Sequence, residues 1–318
     1  MRLGAVHDHC QNALYRAILP LRAMQQRGHD VVWPPPMGVP DLDRLRGCDV
    51  VHIYRRVDAD VWKAVSDLTR RGTAIVYDND DDYSTIPPES PMYKHYSGST
   101  GRRAFENTAR IARAAHVFTT TTDALAERYR RFGVESVEVI GNYLPPGFAA
   151  RVSPHDGIVV GWVAGAEHRA DVARIPIGDG CSGSRSDIRM CSSTDLGLKG
   201  RYRYRGVVPY DALPHHISGF DIAVAPLSDI PFNRVRSDVK LKEYAACGVP
   251  WLASPIGPHA GHGEAHGGLL VPDDGWFEAL DQQQTIAAAA ERWEGVYRRA
   301  VELASSDARQ PAGGVVAL

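Results

Sequence analysis

The sequence predicts an α/β protein of two doubly wound domains facing each other across a cleft, each a parallel sheet covered by helices on both faces. Three observations carry that expectation. Short apolar runs alternate with helical patterns of roughly 10 to 15 residues, which is how parallel sheets are connected. A stretch rich in Pro, Gly, Asn and Ser near residue 150 separates two such series. At 318 residues, with 44% hydrophobic and 23% charged residues, the chain is long enough for two globular domains of ordinary size.

Taken in order, Leu3–Val6 reads as a strand, Asn12–Arg27 as a helix, and Gly28–Trp33 as a turn into a strand that Pro34, Pro35 and Pro36 end. Asp49–Tyr54 is a strand, Asp60–Arg71 a helix and Ala74–Tyr77 another strand. The polar run Ser84–Ser99 reads as a long surface loop. Arg103–Ala115 is helical, His116–Thr120 a strand, Asp123–Phe132 a helix and Val137–Ile140 a strand. Breakers at Asn142–Gly147 and Ser153–Gly157 place the domain boundary there, giving domains over 1–150 and 151–284. The second half supplies strands at 158–163, 221–226, 251–253 and 268–271, and helices at 211–218 and 238–247. Ile286, Trp293, Tyr297 and Val301 form one stripe, as in a packed helix within Thr285–Ser305, and 309–318 reads as a frayed tail. Between Arg174 and Leu196 the run Ile177–Ser186 is too rich in Gly and Ser for a comfortable helix, each Gly costing about 1 kcal/mol.

The chemistry is concentrated in Arg236–Ser254. A helix opens there on a Ser237 or Asp238 cap and closes at Gly248-Val-Pro250, before a strand that begins at Trp251. Arg236, Lys240 and Glu243 stand at i, i+4 and i+7, which puts two cations at the first turn and a carboxylate one turn on. Free backbone N–H groups and the helix dipole add to that positive charge. Such a start suits a diphosphate, with the carboxylate accepting ribose hydroxyls; the plainer alternative is an exposed helix laced with ion pairs. Upstream, Phe220–Leu227 is a buried-type strand and Ser228–Arg234 the loop after it. Open parallel sheets bind phosphates outside the carboxyl ends of their strands, in this kind of position.

The segment Asp221–Ser254 resembles the donor-binding region of nucleotide-sugar glycosyltransferases with the GT-B fold, of the retaining "glycosyltransferases group 1" (family 4-like) kind. The resemblance rests on the aspartate-led apolar strand, Arg236-Ser237, Lys240, and Glu243-Tyr-Ala-Ala-Cys-Gly-Val-Pro250. Weaker likenesses lie in Gly161-Trp-Val-Ala-Gly165 with His168 and Asp171, in Ser254-Pro-Ile-Gly-Pro258, and in Gly267-Gly-Leu-Leu-Val271 with Trp276. In the first half they lie in Asp49–Arg56 and Ala74–Tyr83. The resemblance implies two Rossmann-like domains, with residues 285–318 forming a helix that crosses back to the first domain, and a tail. It implies that Arg236 and Lys240 are the catalytic cations on the diphosphate, assisted by Ser237. Glu243 would hold the ribose, and Gly165, His168 and Gly257 would line the donor. The donor substrate, a nucleoside diphosphate sugar, would be the partner and no cofactor or metal would be needed. A retaining enzyme of this kind needs no strong protein base if the departing phosphate takes the acceptor proton. Two departures stand out: Val235 occupies a position where many relatives carry Glu, and the loop after Val163 offers only His168 and Arg169.

On the acceptor side the candidates are His7, His9, Arg55, Asp80 and Asp81, all just after first-domain strands, and the acceptor could be a glycan, a small molecule or a protein. The run Asp78–Asp82 is open to three readings: solvated like charges at a strand end, acceptor hydroxyl binding, or a hard cation. His259, His262 and His266 lie in a Gly-broken loop, as solvent-exposed histidines, as a donor-contacting loop or, least favoured, as metal ligands. Arg55 and Arg56 would bind an anionic acceptor or form surface ion pairs. A formal charge of −2 gives no electrostatic case for nucleic acid. No run approaches the roughly 18 apolar residues of a membrane span, Met1–Val6 is too short for a signal peptide, and five scattered cysteines favour a reducing cytoplasm. Three other functions compete: a catalytically degenerate transferase-like subunit, a nucleotide-sugar epimerase, and a dinucleotide oxidoreductase. The last is disfavoured because no G-x-G-x-x-G follows the first strand.

Overall fold

The structure, a computed structural model, describes residues 1–7, 12–34, 42–150, 155, 158–174, 186–192, 195–198, 202–262, 293, 294, 297–299 and 301. The expected strand at 268–271, the tail at 309–318, and His9 and His266 lie outside the described residues. The chain divides into two compact units. Unit 1 comprises Met1–Asp80, Arg103–Ile140 and Ala289–Leu318; unit 2 comprises Asp81–Arg102 and Gly141–Ala288.

The strands in chain order are β1 (Arg2–His7), β2 (Asp30–Val32), β3 (Val50–Tyr54), β4 (Ala74–Asp78), β5 (Val117–Thr120) and β6 (Val137–Val139), all in unit 1. In unit 2 they are β7 (Ile158–Ala164), β8 (Ser186–Ser192), β9 (Arg203–Arg205), β10 (Ile222–Ala225) and β11 (Trp251–Ala253). The helices are α1 (Leu19–Gln26), α2 (Ala59–Arg70), α3 (Tyr93–Tyr96), α4 (Gly98–Ala114), α5 (Asp123–Arg131), α6 (Leu213–Ile217), α7 (Pro231–Arg234) and α8 (Val239–Ala246).

Unit 1 is a six-stranded parallel sheet in the order β2-β1-β3-β4-β5-β6. Its central strands β3 and β4 are buried at every position, which is why they read as apolar runs, interrupted only by His52 and ended by Asp78. Asp58 caps α2 by accepting the Val61 N–H at 3.2 Å, and Thr122 caps α5 through Leu125 N–H. The helix expected over Asn12–Arg27 forms with a change of pitch: Leu14–Ile18 is a π-turn and α1 follows. Pro20 lacks the N–H that an α-helical ladder would give to the Arg16 carbonyl, and the wider turn accommodates that gap. The stretch expected as a loop at 84–99 contains α3 and the start of α4. Near the C-terminus Trp293 and Tyr297 are buried in unit 1, their rings against His52 of β3. The Tyr297 hydroxyl lies 2.8 Å from His52 Nδ1.

Unit 2 is a five-stranded parallel sheet in the order β11-β10-β7-β8-β9. Its core gathers Trp162, Ala164, Met190, Leu196 and Leu198. β8 and β9 were not expected. Their sequences, Ser-Asp-Ile-Arg-Met-Cys-Ser and Arg-Tyr-Arg, are polar at alternate positions and follow or flank Gly/Ser-rich chain, so no apolar run marks them. Gly161 is required by close approach: a Cβ there would lie 2.1 Å from the Phe220 ring. Among the described residues no helix is long and apolar enough to cross a membrane.

Candidate functional site

The site follows from the strand order of unit 2. β7 leads away toward β8 on one side of the sheet, while its neighbour β10 leads toward β11 on the other. A crevice opens outside the carboxyl ends of two strands whose connections diverge in this way. β7 and β10 pair only at Ile222↔Val160 and Ala223↔Gly161. Beyond that the fully buried Tyr244 of α8 takes over: its hydroxyl accepts the Val163 N–H at 3.0 Å and donates toward the Val224 carbonyl at 3.3 Å. One side chain thus fixes α8 to both strand ends.

Two loops meet at this point. After β7 come Gly165 and a 3-10 run over Ala166–Arg174; after β10 come Ser228, α7 and the approach to α8. Asp171 is fully buried and joins them. Its Oδ1 accepts the Ser228 N–H at 2.7 Å and Asn233 Nδ2 at 2.9 Å, and its Oδ2 lies 2.8 Å from His168 Nδ1. Ser228 Oγ donates to the Ala170 carbonyl at 2.9 Å. Burial works to raise the Asp171 pKa, but the His168 contact, the Ser228 amide and Arg236 hold it below the usual value. The His168 pKa is lowered, first by burial and then by the charges of Arg236 and Lys240.

Arg236 stands three residues before the first residue of α8, so it is not on the helix, and the expected single face of Arg236, Lys240 and Glu243 reduces to the pair Lys240–Glu243. The Arg236 guanidinium lies 5.2 Å over the Phe232 ring. Its Nη1 is buried and has no hydrogen-bond partner among the described residues. Buried polar atoms are almost always paired, so this guanidinium N–H retains the capacity to donate to an acceptor. Lys240 Nζ lies 3.2 Å from Oε2 of the buried Glu243.

The expected helix cap is not made. Asp238 occupies the N-cap position with no side-chain cap hydrogen bond. Its carboxylate instead takes Lys242 Nζ and His262 Nε2, each at 2.8 Å. Burial opposes its charge, but His262 and Lys242 pull its pKa down to about 2. Ser237 Oγ accepts Asn142 Nδ2 at 3.1 Å. Gly257 has φ +57°, and a Cβ there would lie 2.6 Å from the Asn233 carbonyl oxygen. Gly165 is less constrained, since a Cβ there would first meet the mobile end of Glu167. His259 is buried, contrary to the exposed reading, with Nδ1 unpartnered among the described residues. Its pKa falls to about 4, through burial first and then the nearby His168.

Unit 2 therefore brings His168, Arg236 and Lys240 within electrostatic reach of one another, with His259 beside His168 and Arg236. The sequence motif contained Asp171, but its part in joining the loops, and that of Asn233, were not anticipated. The spacing His168-x-x-Asp171, one 3-10 turn, was the available signal.

Of the acceptor-side candidates among the described residues, unit 1 holds His7, Arg55 and Asp80, and unit 2 holds Asp81. The run 78–82 is buried throughout, which overturns its reading as solvated like charges. Asp78 forms a buried ion pair with Arg16, whose Nε donates to Oδ1 at 3.0 Å, and also accepts Thr119 Oγ1. Asp80 accepts the Tyr54 hydroxyl at 2.8 Å and Asn12 Nδ2 at 3.1 Å, with Arg55 Nε at 3.3 Å. Asp81 belongs to unit 2 and is buried beside Tyr83, whose hydroxyl reaches it at 3.4 Å. His7 ends β1 and is buried. Arg55 has φ +60°, in the left-handed region, and its guanidinium lies 5.5 Å from the Tyr54 ring centroid. Arg56 pairs with Asp58 at the surface.

No protein-family model and no curated protein matches the chain. Solved structures match it over nearly its whole length. Sucrose-phosphate synthase from Thermosynechococcus elongatus is similar with a TM-score of 0.56 and 14% identity, over 96% of this chain and 94% of that one. AviGT4, a glycosyltransferase involved in avilamycin A biosynthesis, gives 0.56 and 13%, over 95% and 98%. HepE from Anabaena in complex with UDP-glucose gives 0.52 and 16%, over 96% and 98%. These neighbours are GT-B glycosyltransferases, and this chain has their fold.

Proposed function

We propose that the protein is a glycosyltransferase that moves a hexosyl or related sugar from a nucleoside diphosphate sugar to an acceptor. The observation that carries this reading is the buried, unpartnered Nη1 of Arg236 beside the switch point of unit 2. The GT-B fold supports it, as does the UDP-glucose bound in the similarly folded HepE. The chemical demand is to stabilise negative charge growing on the departing diphosphate. Fixed cations and oriented N–H groups meet it because they need no reorganisation as the bond breaks. Arg236 and Lys240 hold the diphosphate, the start of α8 and Ser237 assist, and His168, Gly165 and Gly257 line the donor. Lys240 leaves Glu243 for the phosphate, which frees that carboxylate for the ribose. Transfer proceeds with retention, the departing phosphate taking the acceptor proton, and the cations of the chain, without a metal, offset the charge on the diphosphate. His7, His9, Arg55 and Asp80 are the acceptor-side candidates, and the cytoplasm is the proposed location.

A thermal-shift screen with UDP, GDP, ADP, TDP and CDP tests the donor site. At 100 times Kd a ligand adds about 2.7 kcal/mol, which raises the midpoint by several degrees. One or two nucleotides are expected to give that rise, and Lys240→Ala and Arg236→Ala to remove it. Equal response to all five, or to none, overturns the reading. The Lys240–Glu243 pair, with Val235 in place of Glu, favours a second reading: a degenerate, nucleotide-binding subunit. Slow hydrolysis of the nucleotide sugar that binds separates the two, since only a transferase turns it over.

A further inference from the structure

We propose that His168 takes up a proton when the diphosphate binds, becoming a third cation of the site that exists only in the liganded state. This rests on the donor-site reading above. Asp171 is fully buried and ionised, and its Oδ2 lies 2.8 Å from His168 Nδ1. Its other oxygen is taken by the Ser228 amide and Asn233 Nδ2, so the carboxylate has no freedom to turn away. The arrangement assigns the Nδ1–H tautomer and leaves the lone pair on Nε2.

The groups around the ring oppose its protonation. Arg236 and Lys240 press on it from the α8 side, and His259 faces it from the 3-10 run at Gly257–Gly261. Asp238 and His262 lie beyond His259. Trp162 of β7 packs edge-on, ring centroids 6.0 Å apart, and brings no charge. On its own 3-10 run the ring has Asp171 as its acidic partner. Without a ligand, a buried imidazolium would therefore sit near Arg236 and Lys240 with Asp171 as its direct carboxylate partner, since Glu243 is engaged by Lys240 at 3.2 Å. A diphosphate reverses the sign of that field. Its charge offsets Arg236 and Lys240 and offers an acceptor to Nε2–H, so the proton that was unfavourable becomes favourable. The proton comes from solvent, and one N–H bond forms at Nε2.

Sodium pyrophosphate is the probe, because it isolates the phosphate interaction from the unidentified base. Calorimetry on the full chain at pH 7.5, in two buffers of different ionisation enthalpy, counts protons taken up. Wild type is expected to take up close to one proton more than His168→Gln does. Its affinity is expected to fall about tenfold more between pH 6 and pH 8.5 than that of the variant, which cancels the titration of pyrophosphate itself. Nitrogen-15 NMR of the wild-type imidazoles gives a second readout that needs no altered protein. One ring, identified by its proximity to the Trp162 indole, is expected to pass from the neutral Nδ1–H tautomer to imidazolium as pyrophosphate saturates. Binding with that ring still neutral, or with proton uptake unchanged in His168→Gln, overturns this inference and leaves the donor site standing. Failure of pyrophosphate and of every nucleoside diphosphate to bind removes the donor site and this inference together.

Discussion

At Gly257 the backbone has φ +57°, and two atoms of α7, the Asn233 oxygen and Arg234 Cα, lie 2.6 and 2.9 Å from where a Cβ would stand. Neither can swing aside, since both are main chain. Gly257→Ala is expected to cost about 1 to 3 kcal/mol and to displace the approach to Arg236. Chemical denaturation measures the first effect, and loss of the nucleotide-induced rise in midpoint measures the second. Asp238 shows the opposite case, a position where charge stabilises. Its pKa falls from 3.8 to about 2 in the folded state, against burial, through His262 and Lys242. As pH falls, the unfolded chain binds this proton first, so the stabilisation is full above about pH 4 and is lost on the way to pH 2. It amounts to about 2 kcal/mol. The stability gap between wild type and Asp238→Asn should therefore narrow steadily from pH 5 to pH 2 in urea titrations. A constant gap would show that the carboxylate acts through packing alone.

At the scale of elements, legibility tracked burial. β1, β3 and β4 announced themselves because both faces are covered and the chain is apolar at nearly every step. β8 hid because Asp187 and Arg189 alternate with Ile188 and Met190, a period of two preceded by Gly and Ser that read as loop. The helix α8 is legible from its composition, its start at Asp238 and its Gly-Val-Pro ending, but the cap hydrogen bond expected there is absent. The side chain that should have capped it was captured by Lys242 and His262, partners that no local pattern names. Arg236 was selected for charge and spacing; what could not be read was that it precedes the helix and keeps an unpartnered, buried N–H. Tyr244 was part of the recognised motif, but its hydroxyl's place between β7 and β10 depends on where those strands separate. Tyr244→Phe leaves the Val163 amide without that acceptor and should cost about 1 to 3 kcal/mol, measured by equilibrium unfolding. Hydrogen exchange at Val163 should accelerate in the same variant.

For the molecule as a whole, each unit carries its own sheet and its own buried side chains. Trp293 and Tyr297 belong to the first: Trp293 stacks on His52 with ring centroids 5.5 Å apart, and the Arg16 guanidinium lies 5.2 Å from the Trp293 ring. Trp293→Ala should cost about 3 to 5 kcal/mol, and the loss should appear as a lowered transition of unit 1. The response of unit 2 to pyrophosphate should survive at temperatures below that transition. Loss of both together would mean that the two units do not unfold separately.

The way the chain is apportioned has a consequence for its birth on the ribosome. Unit 2 draws all its residues from before position 289, whereas unit 1, which starts upstream of it with Met1–Asp80, also includes the buried Trp293 and Tyr297. Translation at about 5 to 20 residues per second leaves an interval of seconds in which the later-starting half has its full complement and the earlier one does not. During that interval His52 and Arg16 await the indole and phenol that will cover them. Nascent unit 1 is thus the half that needs shelter from aggregation, although it emerges first.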